Sequence, residues 1–193
     1  VGYGGLRDIQ RLPKAMQPLL AQVPDLSSQG MNLETLLNAE PDFVFSGWSY
    51  GFRQGQITPA SLQELGIASY VLSEPCIRQV ARERVSLEDT FNDLLNLGRI
   101  FDIEARATAL VNSQRAELQR ITDALKDQVD KPRVFVFDSG TDIPVTTGRY
   151  AMPHAMIEAA GGSNIFDALN SSWLRGNWAD VIARAPDWIV IVD

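Results

Sequence analysis

Leu36-Leu37-Asn38-Ala39-Glu40-Pro41-Asp42-Phe43-Val44-Phe45 returns near the other end of the chain as Val181-Ile182-Ala183-Arg184-Ala185-Pro186-Asp187-Trp188-Ile189-Val190. Each copy reads as a short helix, a Pro-Asp turn and a continuous apolar run. Such a run is typical of a strand covered on both faces. A unit that ends in a buried strand and occurs twice points to two similar α/β halves.

Outward from the first copy, Asn32 can cap a helix over 33–39, with Glu34 in its positively polarised first turn. Thr58-Pro59 starts a helix that ends at Gly66, and a strand follows over 68–72. Residues 6–22 read as a helix broken at Pro13, and 24–30 and 47–56 as loops. Ser86 opens a helix towards Gly98, and Asp102 can cap the longest one, over 103–126. The stripe Ile103, Ala107, Leu110, Val111, Leu118, Ile121 and Leu125 follows a 3.6-residue period. That helix would be about 36 Å long, enough to cross a small protein. Downstream come a strand over 134–137, a loop over 139–150, and a helix from Pro153 to the Gly161-Gly162 stop. A loop bearing Trp173 and Trp178, a helix over 179–185 and a strand over 188–192 complete the pattern. Trp188, within that strand, is expected in the core. The alternation predicts an α/β fold with mostly parallel sheets: a lobe over 1–101, a rigid joining helix over 102–127 and a lobe over 128–193.

Composition narrows the function. Of 193 residues, 45% are apolar and 21% charged, which suits a globular chain with a substantial core. With 24 acidic against 17 basic residues the net charge is -7, which argues against nucleic-acid or anionic-membrane partners. No apolar run approaches the roughly 20 residues that span a bilayer. The single cysteine, Cys76, excludes an internal disulfide and a multi-cysteine metal site. The single histidine, His154, argues against a His-based catalytic or metal centre, and no cofactor is expected. The chain opens at Val1 without Met and stops at Asp193 just after an apolar run. It is therefore expected to be truncated at both ends, part of a longer protein whose export signal lies outside it.

Catalytic patterns are missing: no P-loop, no strand-linked Gly-x-Gly-x-x-Gly, no Gly-x-Ser-x-Gly, no His-Glu-x-x-His. Ser139-Gly140 follows a strand with only His154 as a possible base; a turn serine and a helix-start histidine are the better reading. Asp138 and Asp142 lie beside Gly and Pro, as turn formers do. Aromatics are placed more tellingly. Trp48, Tyr50 and Phe52 follow the strand of the first half, and Tyr150, Trp173 and Trp178 follow that of the second. Open α/β sheets bind ligands beyond the carboxyl ends of their strands. Arg53, Arg149 and Arg175 share these loops and could meet an anionic ligand with forked donors. For each Trp, plugging the interior and lining a pocket are both open.

A family resemblance rests on motifs in order: Gly30-Met31-Asn32-Leu33-Glu34, Glu40-Pro41-Asp42-Phe43-Val44, Leu65-Gly66-Ile67, Leu97-Gly98-Arg99-Ile100-Phe101, Thr147-Gly148, Ala160-Gly161-Gly162-Ser163-Asn164-Ile165-Phe166 and Ala185-Pro186-Asp187. With these the chain resembles the helical-backbone periplasmic substrate-binding proteins of ABC importers, which serve ferric siderophores, cobalamin and haem. The resemblance implies an exported monomer in the periplasm or at the extracellular membrane surface. It would hold a metal chelate in a cleft between two lobes and deliver it to an ABC importer permease. It also implies one acidic docking residue per lobe. Glu34 matches the first; at the second, Ala179 stands where relatives carry Glu, with Asp180 beside it.

Pocket contacts are expected from Trp48, Tyr50, Phe52, Arg53, Arg149, Tyr150, Trp173, Arg175 and Trp178. Three arginines favour a ferric siderophore; a corrinoid comes second and haem third, with His154 as a conceivable iron ligand. The rival from another class is a subunit of a doubly wound α/β enzyme. It would need a convergent His, Cys or carboxylate set that the chain lacks.

Overall fold

The computed structural model describes residues 1–5, 9–27, 31–47, 57–78 and 83–192. The backbone divides into two compact units, Val1–Leu72 and Ser73–Asp193.

In the first unit, β1 (Tyr3–Gly4) pairs in parallel with β2 (Asp25–Ser27). A strand thus occupies part of 24–30, expected to be a loop: two residues are enough to pair once β1 offers its edge. Within 6–22 the described helical pieces are a 3-10 turn at Ile9–Arg11 and α1 (Gln17–Leu20), with Pro13 between them. In α2 (Leu33–Asn38), Asn32 caps the start by accepting the Thr35 N–H at 2.8 Å. β3 (Phe43–Ser46) pairs in parallel with β4 (Ala68–Val71), Phe43 opposite Ala68. Between them lies α3 (Pro59–Glu64), opened by a reciprocal Thr58–Ser61 capping box. Leu36 of α2 and Leu62 of α3 are buried.

In the second unit, α4 (Leu87–Ile100) starts with a Ser86–Asp89 capping box and turns sharply into α5 (Glu104–Leu125). Asp102 does not cap α5. It takes the left-handed φ of 53° that the tight corner requires, which Asp tolerates better than most residues. The helices touch closely at Gly98, where a Cβ would lie 2.5 Å from that of Ala107. Arg115 of α5 clamps Glu88 of α4 through Nε at 3.2 Å and an Nη at 2.6 Å. Ala107 and Val111 are buried, whereas Ile103 and Leu110 of the expected stripe are exposed.

β5 (Arg133–Phe137) is the central strand, flanked in parallel by β7 (Ser163–Asn164) and β9 (Trp188–Ile191). Its alternation sorts the core. Phe135 packs with Ile165, Phe166 and Val181, and Val134 and Val136 pack with Ile157. Ile157 lies on α6 (Met152–Ala159), which ends before Gly161-Gly162 as expected. β6 (Val145–Thr147) and β8 (Trp173–Arg175) form an antiparallel ribbon where loops were expected. The β-branched run Val145-Thr146-Thr147 was the available signal. Trp188, expected in the core, is 66% exposed, and the rest of β9 is exposed with it on both faces.

The repeated motif has one backbone solution. α7 (Trp178–Arg184) is capped by Asn177 as α2 is by Asn32. Glu40 and Ala185, each just before the Pro-Asp turn, take left-handed φ values of 46° and 45°. Asp187 then locks β9 to β5. Its carboxylate accepts the Arg133 backbone N–H at 2.8 Å and grips the guanidinium at 3.0 and 3.2 Å. The Arg133 side chain, then its backbone N–H, hold the Asp187 carboxyl below its ordinary value. A lowered carboxyl supplies stability that is complete above the ordinary aspartate range and is lost as pH falls through the lowered value. Asp187→Asn is therefore expected to lower the urea midpoint at neutral pH, by an amount that shrinks as pH falls through the acid range. Equal midpoints at neutral pH would refute this.

Candidate functional site

The ribbon carries the site. Asp138 and Ser139, just past the carboxyl end of β5, engage its first strand: the Asp138 N–H donates to Val145 O at 3.0 Å, and the Val145 N–H to Ser139 O at 2.7 Å. β6 runs on into Gly148-Arg149-Tyr150, and that segment is stitched to the approach to β8. Gly148, Arg149 and Tyr150 donate backbone N–H bonds to Ser172, Leu169 and Ser171 at 2.8, 3.1 and 3.0 Å. Thr147 stands opposite Trp173, and Val145 opposite Arg175. Beneath the ribbon, buried Asn164 donates through Nδ2 to Thr147 O at 2.9 Å and accepts the Phe166 N–H at 3.0 Å. The ribbon is thereby tied to the β7 side of the sheet.

Four residues singled out in the sequence, Arg149, Tyr150, Trp173 and Arg175, are thus gathered on one small platform at the carboxyl end of β5. Arg149 donates from Nε to Asp167 O at 2.8 Å, which sets the plane of its guanidinium. Arg175 is exposed, and Tyr150 and Trp173 are half-buried. Such a surface offers flat rings for contact and forked donors for acidic groups.

Trp178 is drawn into the interior. Its ring lies 5.9 Å from Phe135 and 5.8 Å from Phe137, and its Nε1–H donates to Thr141 O at 2.7 Å. Trp48, Tyr50, Phe52 and Arg53 lie outside the described residues.

One participant had no sequence signal. Glu74, half-buried in Ser73-Glu74-Pro75, accepts the Met152 N–H at the start of α6 at 3.2 Å. Burial pushes the Glu74 carboxyl above its usual value, with the Met152 N–H and the Trp173 side chain acting against the rise. Its partners are remote in sequence, so no local pattern could reveal it.

The remaining polar candidates are structural in their surroundings. His154 is buried on α6 with Nε2 3.5 Å from Glu158. Exposed Ser139 donates through Oγ to half-buried Asp138 at 2.8 Å. Among the described residues, no three His, Cys, Asp or Glu side chains are grouped to hold a metal.

Glu34 is exposed at the second position of α2, directly after capped Leu33. The second position of α7 is Ala179, and Asp180 comes one residue later. One residue along a helix turns the side chain by about 100°, so Asp180 does not repeat the placement of Glu34.

These features, parallel α/β sheets with an antiparallel ribbon at the carboxyl end of β5, define an α/β fold. The chain belongs to the periplasmic binding protein family, whose model matches residues 11–193. It is 27% identical over 163 residues to the vitamin B12-binding protein of Salmonella typhimurium, a match covering 84% of this chain and 56% of that protein. A solved periplasmic binding protein from Veillonella parvula superposes with a TM-score of 0.83 at 26% identity, covering 100% of this chain and 62% of that one. The ABC-type Fe3+-hydroxamate transport system structure from Saccharomonospora viridis gives 0.80 at 22% identity, over 100% and 66%. The chain thus spans between half and two thirds of the length of these proteins.

Proposed function

We propose that this chain is the ligand-capturing part of a solute-binding protein that takes up a metal chelate, a ferric siderophore first, and passes it to an ABC importer. It would act in the periplasm or at the extracellular membrane surface, without covalent chemistry. The observation that carries this is the β6–β8 platform, where Tyr150 and Trp173 are set beside Arg149 and Arg175 at the carboxyl end of β5. Stiff aromatic rings supply contact area at low entropic cost, and the arginines suit the acidic groups of a ferric chelate. Trp48, Tyr50, Phe52 and Arg53 are proposed as further contacts on sequence grounds, and Trp178 through the edge its packing leaves open. A corrinoid is the second reading, favoured by the similarity to a vitamin B12-binding protein. Glu34 is proposed as a permease contact, with Asp180 as its shifted counterpart.

The test separates capture from delivery in the full-length protein. Calorimetry with ferrichrome, cyanocobalamin and haemin identifies the ligand bound. Trp173→Ala is expected to weaken that ligand by about 1–3 kcal/mol, the range of a buried aromatic anchor. Glu34→Arg is expected to leave affinity intact while transport into permease-containing vesicles falls, because a rim charge sets encounter and register. Unchanged affinity in Trp173→Ala and Trp48→Ala alike would move the site. Loss of ligand binding in Glu34→Arg would end its docking role.

A further inference from the structure

We propose that Asn164 is a positioning residue for the ligand platform: through Thr147 it sets where the facing Trp173 stands relative to the central sheet. This rests on the reading of Trp173 as a ligand contact. Asn164 lies on the short strand β7, whose place is fixed by β5. Ser163 and Ile165 on either side donate their N–H groups to Pro132 O and Val134 O at 2.9 and 3.0 Å. The Asn164 side chain is 1% exposed and is used at both ends. Its Oδ1 accepts the Phe166 N–H at 3.0 Å, closing a turn onto its own backbone, and its Nδ2 donates to Thr147 O at 2.9 Å. The same Nδ2 lies 3.5 Å from the Thr147 Oγ1.

The register of the ribbon explains why that carbonyl is available. Cross-strand bonds run from the Gly148 N–H to Ser172 O and from the Gly176 N–H to Pro144 O. By antiparallel alternation, Thr147 and Trp173 fall between hydrogen-bonded positions of the ladder. The Thr147 carbonyl therefore turns away from β8, towards Asn164. Val145 faces outward in the same way and is held by main-chain bonds to Asp138 and Ser139. The outer edge of β6 thus has two anchors, and the one opposite Trp173 is a side chain. At such a pair the two side chains share a face and stand closer than at a hydrogen-bonded pair. Thr147 has no exposed surface, so it gives the Trp173 ring a fixed neighbour. Removing the Asn164 donor leaves a buried carbonyl unsatisfied and frees β6 to shift from the sheet, carrying Trp173 with it.

The test uses calorimetry with ferrichrome and cyanocobalamin, and 15N–1H spectra, on the full-length protein. Asn164→Ser keeps an acceptor for the Phe166 N–H but cannot reach Thr147. Affinity should fall about fivefold, the loss of one hydrogen bond. In the Trp173→Ala background the same change should cost nothing further, because the tie acts through that ring. The ligand-free Trp173 indole cross-peak, identified by its disappearance in Trp173→Phe, should move in Asn164→Ser. Asn164→Asp keeps the shape and the turn but sets an acceptor against the carbonyl, and it should give the same pattern. An unmoved cross-peak in both variants overturns the proposal. So does a loss that persists undiminished in the Trp173→Ala background, which would mark a general structural role and leave Trp173 as a contact. Unchanged affinity in Trp173→Ala alone would end the reading of Trp173 as a contact, and the proposal with it.

Discussion

Phe135→Ala is expected to destabilise the second unit by about 3–5 kcal/mol, the range for emptying a buried aromatic site. Phe135 has no exposed surface. Its ring meets Phe166 edge-on at 6.2 Å and 68°, Trp178 at 5.9 Å and 69°, and Phe137 at 6.4 Å. Ile165 and Val181 close the cluster. Neighbours anchored on β5, β7 and α7 cannot collapse together into the void, so the cavity term adds to the lost transfer energy. The check is the denaturant midpoint at unchanged slope, with Val129→Ala as the comparison. Val129 is 92% exposed, and its truncation should stay within about 0.5 kcal/mol. A fall of less than about 1 kcal/mol for Phe135→Ala would mean the cluster is not the centre of this unit.

Gly148→Ala should be nearly as damaging in stability and more so in binding. A Cβ at Gly148 would stand 2.5 Å from Ser171 O and 2.6 Å from Leu169 O, both backbone atoms. Those segments accept the Tyr150 and Arg149 N–H bonds that stitch the platform together. Relief therefore requires parting the strands, not rotating a side chain. The expected cost is on the order of 3 kcal/mol, at the upper end for overpacking. Because Arg149 and Tyr150 follow directly, ligand affinity in the full-length protein should fall by at least about tenfold. Wild-type affinity with wild-type stability would show that the strands can part here without consequence.

Much of the frame was legible because its causes are local. Asn32 caps, Thr58-Pro59 and Ser86 open helices, and Pro-Asp turns precede β3 and β9, each through bonds within a few residues. The apolar run at 134–137 reads as a strand, and β5 is one, with Phe135 serving one face and Val134 and Val136 the other. The runs read as covered on both faces, at 43–45 and 188–190, instead leave Phe45 and all of β9 exposed. The repeat around Pro41 and Pro186 was equally readable, and the paired left-handed φ values of Glu40 and Ala185 are its backbone expression.

What sequence could not foresee depends on partners far along the chain. β6 and β8 are three residues each and become strands only by meeting one another, so both appeared as loops. The apolar character of Trp188 was plain, but its exposure depends on whether other elements cover the faces of β9, which is a matter of tertiary packing. Trp173 and Trp178 were alike as loop aromatics. Folding separates them, because α7 swings Trp178 onto Phe135 and Phe137 while β8 holds Trp173 beside Thr147. Glu74 had no signal of its own and gained its place only when α6 brought a helix N–H to it. Sequence by itself determined the helices, the central strand, the α/β class and the aromatics and arginines from which the proposed site is drawn. Tertiary structure alone decided which of those side chains share a surface, since long-range pairing, unlike capping and periodicity, leaves no imprint on neighbouring residues.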